Sequence, residues 1–288
     1  MFYMPGENDL WNQIAMEADQ RSLDEVDITD IGVVIMFDKL STGEAELYYM
    51  DWDPLTERNT RVMKEGFPAA RNMGESDTLL ELINYAKKNC PADNYMLAIR
   101  GHGASFLGVA HDHNPRDRLT MPEIADALRR ADIHIDLIIF DACNKASLEV
   151  GIRIKNYVDC MAASEDTESG VHWVSNIYDF AATFERLLRE SDIDSDLIRD
   201  RGFEILTSIK ESIEYPIQDM EFLGAVVMSR SGPARRRSHG LDIYFPRNAD
   251  WITDTYESQE HPVRQRAPRW TELVVNCARN EHWRLSLM

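Results

Sequence analysis

The sequence has few cysteines and none of the close spacings that pair them. Four occur in 288 residues, at Cys90, Cys143, Cys160 and Cys277, with no Cys-x-x-Cys. This pattern excludes a regular disulfide framework and favours a reducing, intracellular setting. Taken alone, each of these cysteines is more often a small buried hydrophobic residue than a reactive group.

Long apolar runs and an excess of positive charge are also missing. No apolar run reaches the length of a membrane span, and the opening MFYMPGENDL has neither the basic nor the long apolar segment of a secretory signal. We therefore expect a cytoplasmic protein that does not insert in a membrane. With 31 Lys and Arg against 50 Asp and Glu, the net charge is −19. This charge disfavours nucleic acid as a partner and indicates solubility or a basic substrate.

What the chain does have is an alternation of strand-like and helix-like segments. The strand-like segments are 2–4, 31–38, 45–51, 95–101, 135–141 and 160–166. Helical spacing is found at 77–89, 119–132 and 145–157, and capping-box spacing occurs at Thr78/Glu81 and Thr120/Glu123. This alternation predicts an α/β fold with a mostly parallel sheet covered on both faces. No repeat or linker divides the chain. We expect a single domain over 1–288, with an α/β core at 1–175 and a helical part at 176–288 that contains a late strand at 241–246.

Two chemically reactive side chains follow predicted strands. His102 lies in Gly-His-Gly after segment 95–101, and Cys143 lies in Asp-Ala-Cys after segment 135–141. If these strands are neighbours, both side chains project over one sheet edge, as a thiol nucleophile and its imidazole partner require. A helix directly behind Cys143 would favour the thiolate, and the amides of Gly103 and Cys143 would donate to an oxyanion. Spacing alone equally allows a turn histidine and a core cysteine.

Longer blocks carry a more specific signal. The blocks RGHGASFLGVAHD, LTMPEIADALRRADIHIDLIIFDACNKASLEV and VDCMAASEDTESGVHW resemble the clostripain-like cysteine peptidases, which belong with caspases, legumains and gingipains. FYMPGENDLW, HGLDIYFP and RWTELV are similar to the first strand, the late strand and the closing helix of that family. The resemblance implies a caspase-like α/β/α sandwich with helical C-terminal additions. It also implies a cysteine endopeptidase with Cys143 as nucleophile and His102 as general base, a chemistry that requires no metal.

The resemblance further implies cleavage of protein or peptide substrates after basic residues. Asp141 matches an aspartate near the floor of the primary specificity pocket, and Glu165 or Asp166 would add negative charge there. Cleavage after Arg is expected to be more efficient than cleavage after Lys, because the Arg guanidinium pairs with a carboxylate through two hydrogen bonds. Val171 stands where family members often carry an acidic residue, which removes one anionic contact. The alternative for Asp141 is a strand-end cap or a structural ion pair.

Two basic segments and one histidine-rich segment also contain residues with possible functions. Arg116 and Arg118 separate His102 from Cys143 in the sequence and are predicted processing sites of a zymogen, whereas Arg235–Arg237 are interpreted as an exposed loop. The segment HDHNPRD is interpreted as a solvated loop rather than a metal site, and the resemblance makes its Asp112 part of the fold. Calcium is compatible with the acidic composition but not indicated.

The regulated use of such a peptidase, in bacterial signalling or defence, would involve an activating or inhibitory protein partner, by analogy with caspases. Two other interpretations stay open. One is a catalytically inert caspase-like interaction module. The other is an unrelated α/β protein in which Cys143 and His102 are structural.

Overall fold

The structure is a computed structural model that describes residues 1–6, 28, 31–39, 42–56 and 58–164. Several sequence predictions concern positions outside these described residues. They are the pocket residues Glu165, Asp166 and Val171, the basic run Arg235–Arg237, the helical part 176–288 and the late strand 241–246.

The described residues form nine strands and three helices. The strands are β1 (Phe2–Met4), β2 (Val34–Lys39), β3 (Glu44–Asp53), β4 (Arg58–Met63), β5 (Met96–Arg100), β6 (Val109–His113), β7 (Arg116–Leu119), β8 (Ile135–Asp141) and β9 (Val158–Ala163). The helices are α1 (Ser76–Asn89), α2 (Met121–Ala131) and α3 (Leu148–Ile154). None of these three helices is long and apolar enough to span a membrane.

Seven strands form one mixed sheet in the order β4-β3-β2-β1-β5-β8-β9. The five strands from β2 to β9 in this order are parallel to one another. Strands β3 and β4 continue the sheet as an antiparallel pair at one edge, and β6 pairs with β7 in a separate hairpin. The prediction of a mostly parallel sheet in an α/β fold is confirmed.

Apolar side chains cover the sheet on both faces, as expected for parallel strands. One cluster joins Tyr3, Met36 and Ile99 of the sheet to buried residues of all three helices, among them Leu82, Ile124 and Val150. The alternating residues of the same strands form a second cluster, which includes Phe2, Met4, Ile35, Phe37 and Ala98. Because successive side chains of a strand point to opposite faces, these short apolar runs supply both layers of the core.

One of the two predicted capping boxes is present. Thr120 precedes α2, and its hydroxyl accepts a hydrogen bond from the Glu123 amide while the Glu123 carboxylate accepts one from the Thr120 amide. The box predicted at Thr78 and Glu81 is wrong, because α1 begins at Ser76 and both residues lie within it. The Thr78 hydroxyl instead donates to the carbonyl oxygen of Asn72 at 2.7 Å.

Three short strands were not predicted, and they are the more polar ones. The segment 111–117, interpreted as a solvated loop, contributes to the β6–β7 hairpin. Its Asp112 is fully buried and accepts hydrogen bonds from the amides of Met73 and Asn114, both at 2.9 Å. Strand β4 lies at the edge of the large sheet. Strands of this kind are held by backbone pairing rather than by an apolar face, so hydrophobic periodicity does not identify them.

Candidate functional site

The candidate site lies where β5 and β8 end, side by side, in the middle of the parallel sheet. These strands pair in register from Met96 opposite Leu137 to Arg100 opposite Asp141. The Gly101 amide then donates to the Asp141 carbonyl oxygen at 3.1 Å. His102 and Cys143 each follow two residues after this final pair, so both leave the sheet at the same edge. The predicted adjacency of their strands is confirmed.

Gly103 brings the two segments into direct backbone contact. A β-carbon added at Gly103 would lie 2.0 Å from the carbonyl oxygen of Cys143 and 2.8 Å from its amide nitrogen. Both distances are too short for any side chain, so only glycine fits. The segment that carries His102 therefore packs against the backbone of Cys143, and the amides predicted to hold an oxyanion belong to residues in contact.

The turn after Cys143 differs from the predicted helix start. Asn144 has a positive φ of 56°, and the Ala146 amide donates to the Ser164 carbonyl oxygen just beyond β9. Helix α3 begins only at Leu148, with Ser147 as its N-cap. The prediction that a helix begins directly behind Cys143 is therefore wrong, because four residues separate Cys143 from the start of α3. The nucleophile candidate lies in a turn that is fixed at both sides by backbone hydrogen bonds.

Asp141 has a charged partner that sequence reasoning missed. The Arg100 guanidinium nitrogen Nε lies 3.2 Å from Asp141 Oδ2, and the two side chains are only 4% and 10% exposed. This geometry corresponds to the structural ion pair that the sequence left open as an alternative. The role of Asp141 in a specificity pocket stays a prediction. A signal for the pair was available, because Arg100 and Asp141 each stand at the end of a predicted strand.

A second imidazole lies near the candidate base. The ring centroid of His111, on β6, is 6.3 Å from that of His102, and His113 lies 5.1 Å beyond it. Burial, followed by the neighbouring His113 and His102, lowers the pKa of His111. The shift favours the neutral form of the His111 imidazole beside His102.

Arg116 and Arg118, the predicted processing residues, are exposed on β7. They face His113 and His111 of β6 in the hairpin register rather than lying in an open loop. Within the described residues, no group of three or more His, Cys, Asp or Glu side chains could hold a metal ion. The histidines of this hairpin therefore do not form such a group with the described carboxylates.

The model of the clostripain family matches residues 3–201, which is more than half of the chain. The chain belongs to the clostripain family. Clostripain from Hathewaya histolytica is 32% identical to it over 102 residues, which is 29% of this chain and 19% of clostripain. The predicted family is confirmed, while the matched part of this curated relative is well under half of its length.

Solved structures show which fold the chain shares. A secreted C11 cysteine protease from Bacteroides thetaiotaomicron, in complex with an irreversible peptide inhibitor, superposes with a TM-score of 0.56 at 18% identity, covering 78% of this chain and 61% of that one. An inactive zymogen C11 protease from Parabacteroides distasonis gives 0.51 at 15% identity, covering 97% of both chains. At these identities the likeness establishes the fold, and the caspase-like prediction is confirmed.

The cytoplasmic location predicted from the sequence is contradicted by these relatives. Two solved structures of a C11 cysteine protease from Bacteroides thetaiotaomicron both describe it as a secreted protein. The small number of cysteines and the composition of residues 1–10 were the grounds for that prediction. Neither is a property of the fold, and a secreted peptidase can be built on this fold.

The contact at Gly103 leads to a prediction about stability. Gly103→Ala forces a β-carbon into the Cys143 backbone, and overpacking of this kind typically lowers the free energy of unfolding by about 1–3 kcal/mol. Gly151→Ala is the matched control, since nothing lies within 4 Å of its β-carbon position in α3. Alanine there is expected to raise the free energy of unfolding by about 0.5–1 kcal/mol. Urea unfolding of both variants measures the two changes, and an equal effect of the two would contradict the contact.

Proposed function

We propose that this protein is a cysteine endopeptidase in which Cys143 is the nucleophile and His102 the general base. The observation that carries the proposal is the close contact between Gly103 and the Cys143 backbone at the shared end of β5 and β8. This contact supports the proposal because it sets the segments that carry His102 and Cys143 next to each other, and thiol-dependent acyl transfer needs these two residue types side by side. Membership of the clostripain family supports it as well. Membership of the clostripain family excludes an unrelated α/β protein. The remaining rival is a catalytically inert module of the same fold, which thiol labelling separates from an active peptidase.

In the proposed first step, His102 takes the thiol proton and the Cys143 sulfur attacks the scissile carbonyl carbon. The carbonyl π electrons move to the oxygen, and the amides of Gly103 and Cys143 donate hydrogen bonds to the resulting oxyanion. Collapse of this tetrahedral species breaks the carbon–nitrogen bond. The protonated His102 gives its proton to the departing amine, which leaves a thioester on Cys143.

In the second step, water replaces the amine. His102 takes a proton from the water as its oxygen attacks the thioester carbon, and the same amides support the second oxyanion. Breaking the carbon–sulfur bond releases the acid and restores the thiol with the proton held on His102. Every proton in this sequence is held or moved by His102, so we propose that the chemistry requires neither a metal nor a cofactor.

For the substrate, we propose a protein or peptide with a basic residue on the acyl side of the cut bond, Arg in preference to Lys. Asp141 is the proposed contact, with Glu165 and Asp166 as further carboxylates. Asp141 already has the Arg100 guanidinium at 3.2 Å, so a substrate cation shares this carboxylate rather than meeting a free one. The preference for Arg over a neutral residue is therefore expected to be smaller than an unpaired carboxylate would give.

The catalytic pair is tested by thiol labelling. A chloromethyl ketone bearing Arg should alkylate one sulfur, that of Cys143. The proposed site binds the Arg side chain of the reagent, and the His102 imidazole favours the reactive thiolate there. Cys143→Ala should abolish both labelling and peptide cleavage, and His102→Ala should lower the rates of both by at least about 100-fold. Intact-mass analysis and turnover of a peptide substrate measure the two properties.

Cys160→Ala serves as the control for this experiment. Cys160 is an exposed thiol, and partial burial of its sulfur together with the Asp159 carboxylate raises its pKa. It therefore stays mostly protonated at neutral pH, and its removal should leave labelling unchanged. Labelling that follows Cys160, or cleavage that survives in Cys143→Ala, would end the proposal of a Cys143 peptidase. A folded wild-type protein with neither labelling nor cleavage would favour the inert module.

The specificity proposal is tested by substrates that differ only at the residue before the cut. The kcat/KM values are expected to decrease from Arg to Lys to Leu to Asp. Asp141→Asn should reduce the Arg value by at least about tenfold and the Leu value by much less, because only a charged substrate side chain uses the carboxylate. Equal values for Arg, Leu and Asp substrates in the wild-type protein would contradict basic specificity. A matching loss for Leu in Asp141→Asn would assign Asp141 to the fold alone.

Processing is proposed to occur at Arg116 or Arg118. Both side chains are exposed, but β7 must separate from β6 before its backbone can enter a peptidase site. We therefore expect slow cleavage that accompanies activity, visible as two fragments on a denaturing gel and assigned by N-terminal sequencing. The fragments should be missing from Cys143→Ala and from an Arg116→Gln/Arg118→Gln double variant. Full activity of a chain that stays intact would contradict this prediction.

A further inference from the structure

Lys145 is a fully buried lysine two residues after the proposed nucleophile. Its side chain is 0% exposed. Its amine nitrogen Nζ donates to the carbonyl oxygen of Ser105 at 2.7 Å and to that of Gly108 at 3.2 Å. The Sδ atom of Met121 lies 3.2 Å away, and the amine sits 5.1 Å from the centroid of the Phe140 ring. A lysine amine therefore occupies an apolar pocket, with two backbone carbonyl groups as its polar partners.

The two carbonyl groups belong to the loop that directly follows His102 and Gly103. This loop closes on itself, since the Ala104 amide donates to the Gly108 carbonyl oxygen at 2.9 Å. Ser105 has a φ of 49° and Gly108 a φ of 142°. Positive φ is unfavourable for a serine, so the turn needs support from elsewhere. The Lys145 amine supplies that support from the segment that carries Cys143.

Burying the Lys145 amine costs free energy of desolvation, which a hydrophobic residue at this position would avoid. Burial lowers the pKa of the Lys145 amine to about 7. Near neutral pH the amine is thus partly charged and partly neutral, and either form has at least two N–H groups to donate. Both carbonyl oxygens of the loop can therefore remain bonded whichever form is present. A buried donor of this kind serves the loop whose carbonyl groups it satisfies.

We infer that Lys145 is a positioning residue for the proposed reaction, on which this inference rests. By holding the carbonyl oxygens of Ser105 and Gly108, it fixes the loop that directly follows His102 and Gly103 against the turn that carries Cys143. Gly103 allows the two segments to approach, and Lys145 keeps them there. The side chain acts through the backbone of the loop and does not itself touch the substrate.

The experiment compares Lys145→Met with Lys87→Met. Methionine has an unbranched side chain of similar length and lacks the N–H donors of the lysine amine. Lys87, on α1, is the matched control because its amine also donates to two backbone carbonyl oxygens, those of Ala131 and Asp132, at the end of α2.

Turnover of an Arg peptide is measured together with thermal unfolding. Lys145→Met should lower kcat about 10- to 100-fold, with KM changed by less than about threefold, since misplaced catalytic groups impair chemistry more than binding. Lys87→Met should change neither.

A second readout does not depend on turnover. Hydrogen exchange at the amides of Ala104, Leu107 and Gly108, which are bonded within the loop, should become faster in Lys145→Met and stay unchanged in Lys87→Met. Lys145→Gln retains an amide donor and should give intermediate exchange and an intermediate kcat. This conservative variant also allows the measurement to be made if Lys145→Met does not fold.

The outcomes separate this inference from the proposed function. A folded Lys145→Met protein with wild-type kcat or wild-type loop exchange would overturn the inference alone. An equal kcat loss in Lys87→Met would overturn it as well, because the effect would then be general. Failure of both Lys145 variants to fold would assign the residue to the fold as a whole and also overturn it. Absence of Cys143-dependent turnover in the wild-type protein would overturn the proposed function, and the catalytic part of this inference with it.

Discussion

The hydrogen bond from the Gly101 amide to the Asp141 carbonyl oxygen, 3.1 Å long, ends the pairing of β5 with β8, and the geometry of the candidate site depends on this pairing. This register makes the segments that follow β5 and β8 leave the edge of the sheet at the same position along the strand direction. A slip of one residue would displace one strand by about 3.3 Å and turn its side chains to the opposite face. The apolar residues on both faces of β5 and β8 oppose such a slip. The core therefore determines the position of His102 relative to Cys143 even though neither residue belongs to the core.

The same final pair of residues places two opposite charges next to the site. Arg100 and Asp141 face each other in the register and are almost fully buried. Removing one member of a buried pair usually costs about 3–5 kcal/mol, because the other charge is left uncompensated. Asp141 thus has a structural role whether or not it also contacts a substrate. Any use of its carboxylate for specificity has to be compatible with keeping Arg100 satisfied, which links substrate preference to the stability of the strand ends.

The extent to which the sequence predicted this architecture varied with the kind of interaction involved. Strands β1 and β8 have the predicted bounds, because short apolar runs suit a sheet buried on both faces. The Thr120 capping box was predicted because its two partners are three residues apart. The box at Thr78 failed because α1 begins two residues earlier, at Ser76. Glu81 pairs with Lys64 and Arg71 instead, and these tertiary partners cannot be recognised from local spacing. The polar hairpin β6–β7 was missed for a related reason, since its pairing depends on backbone groups common to every sequence.

Within the site, the same distinction separates what was predicted from what was not. His102, Gly103 and Cys143 were identified because each follows a recognisable strand within a short motif. Lys145 was not identified from the sequence, because its partners are carbonyl oxygens 37 and 40 residues away in the chain. A carbonyl group carries no residue identity, so no pairing of residue types in the sequence marks this contact. The two segments of the site are thus joined by one contact that needs the smallest residue and another that needs a long buried donor. Only the three-dimensional fold shows that both serve the same junction.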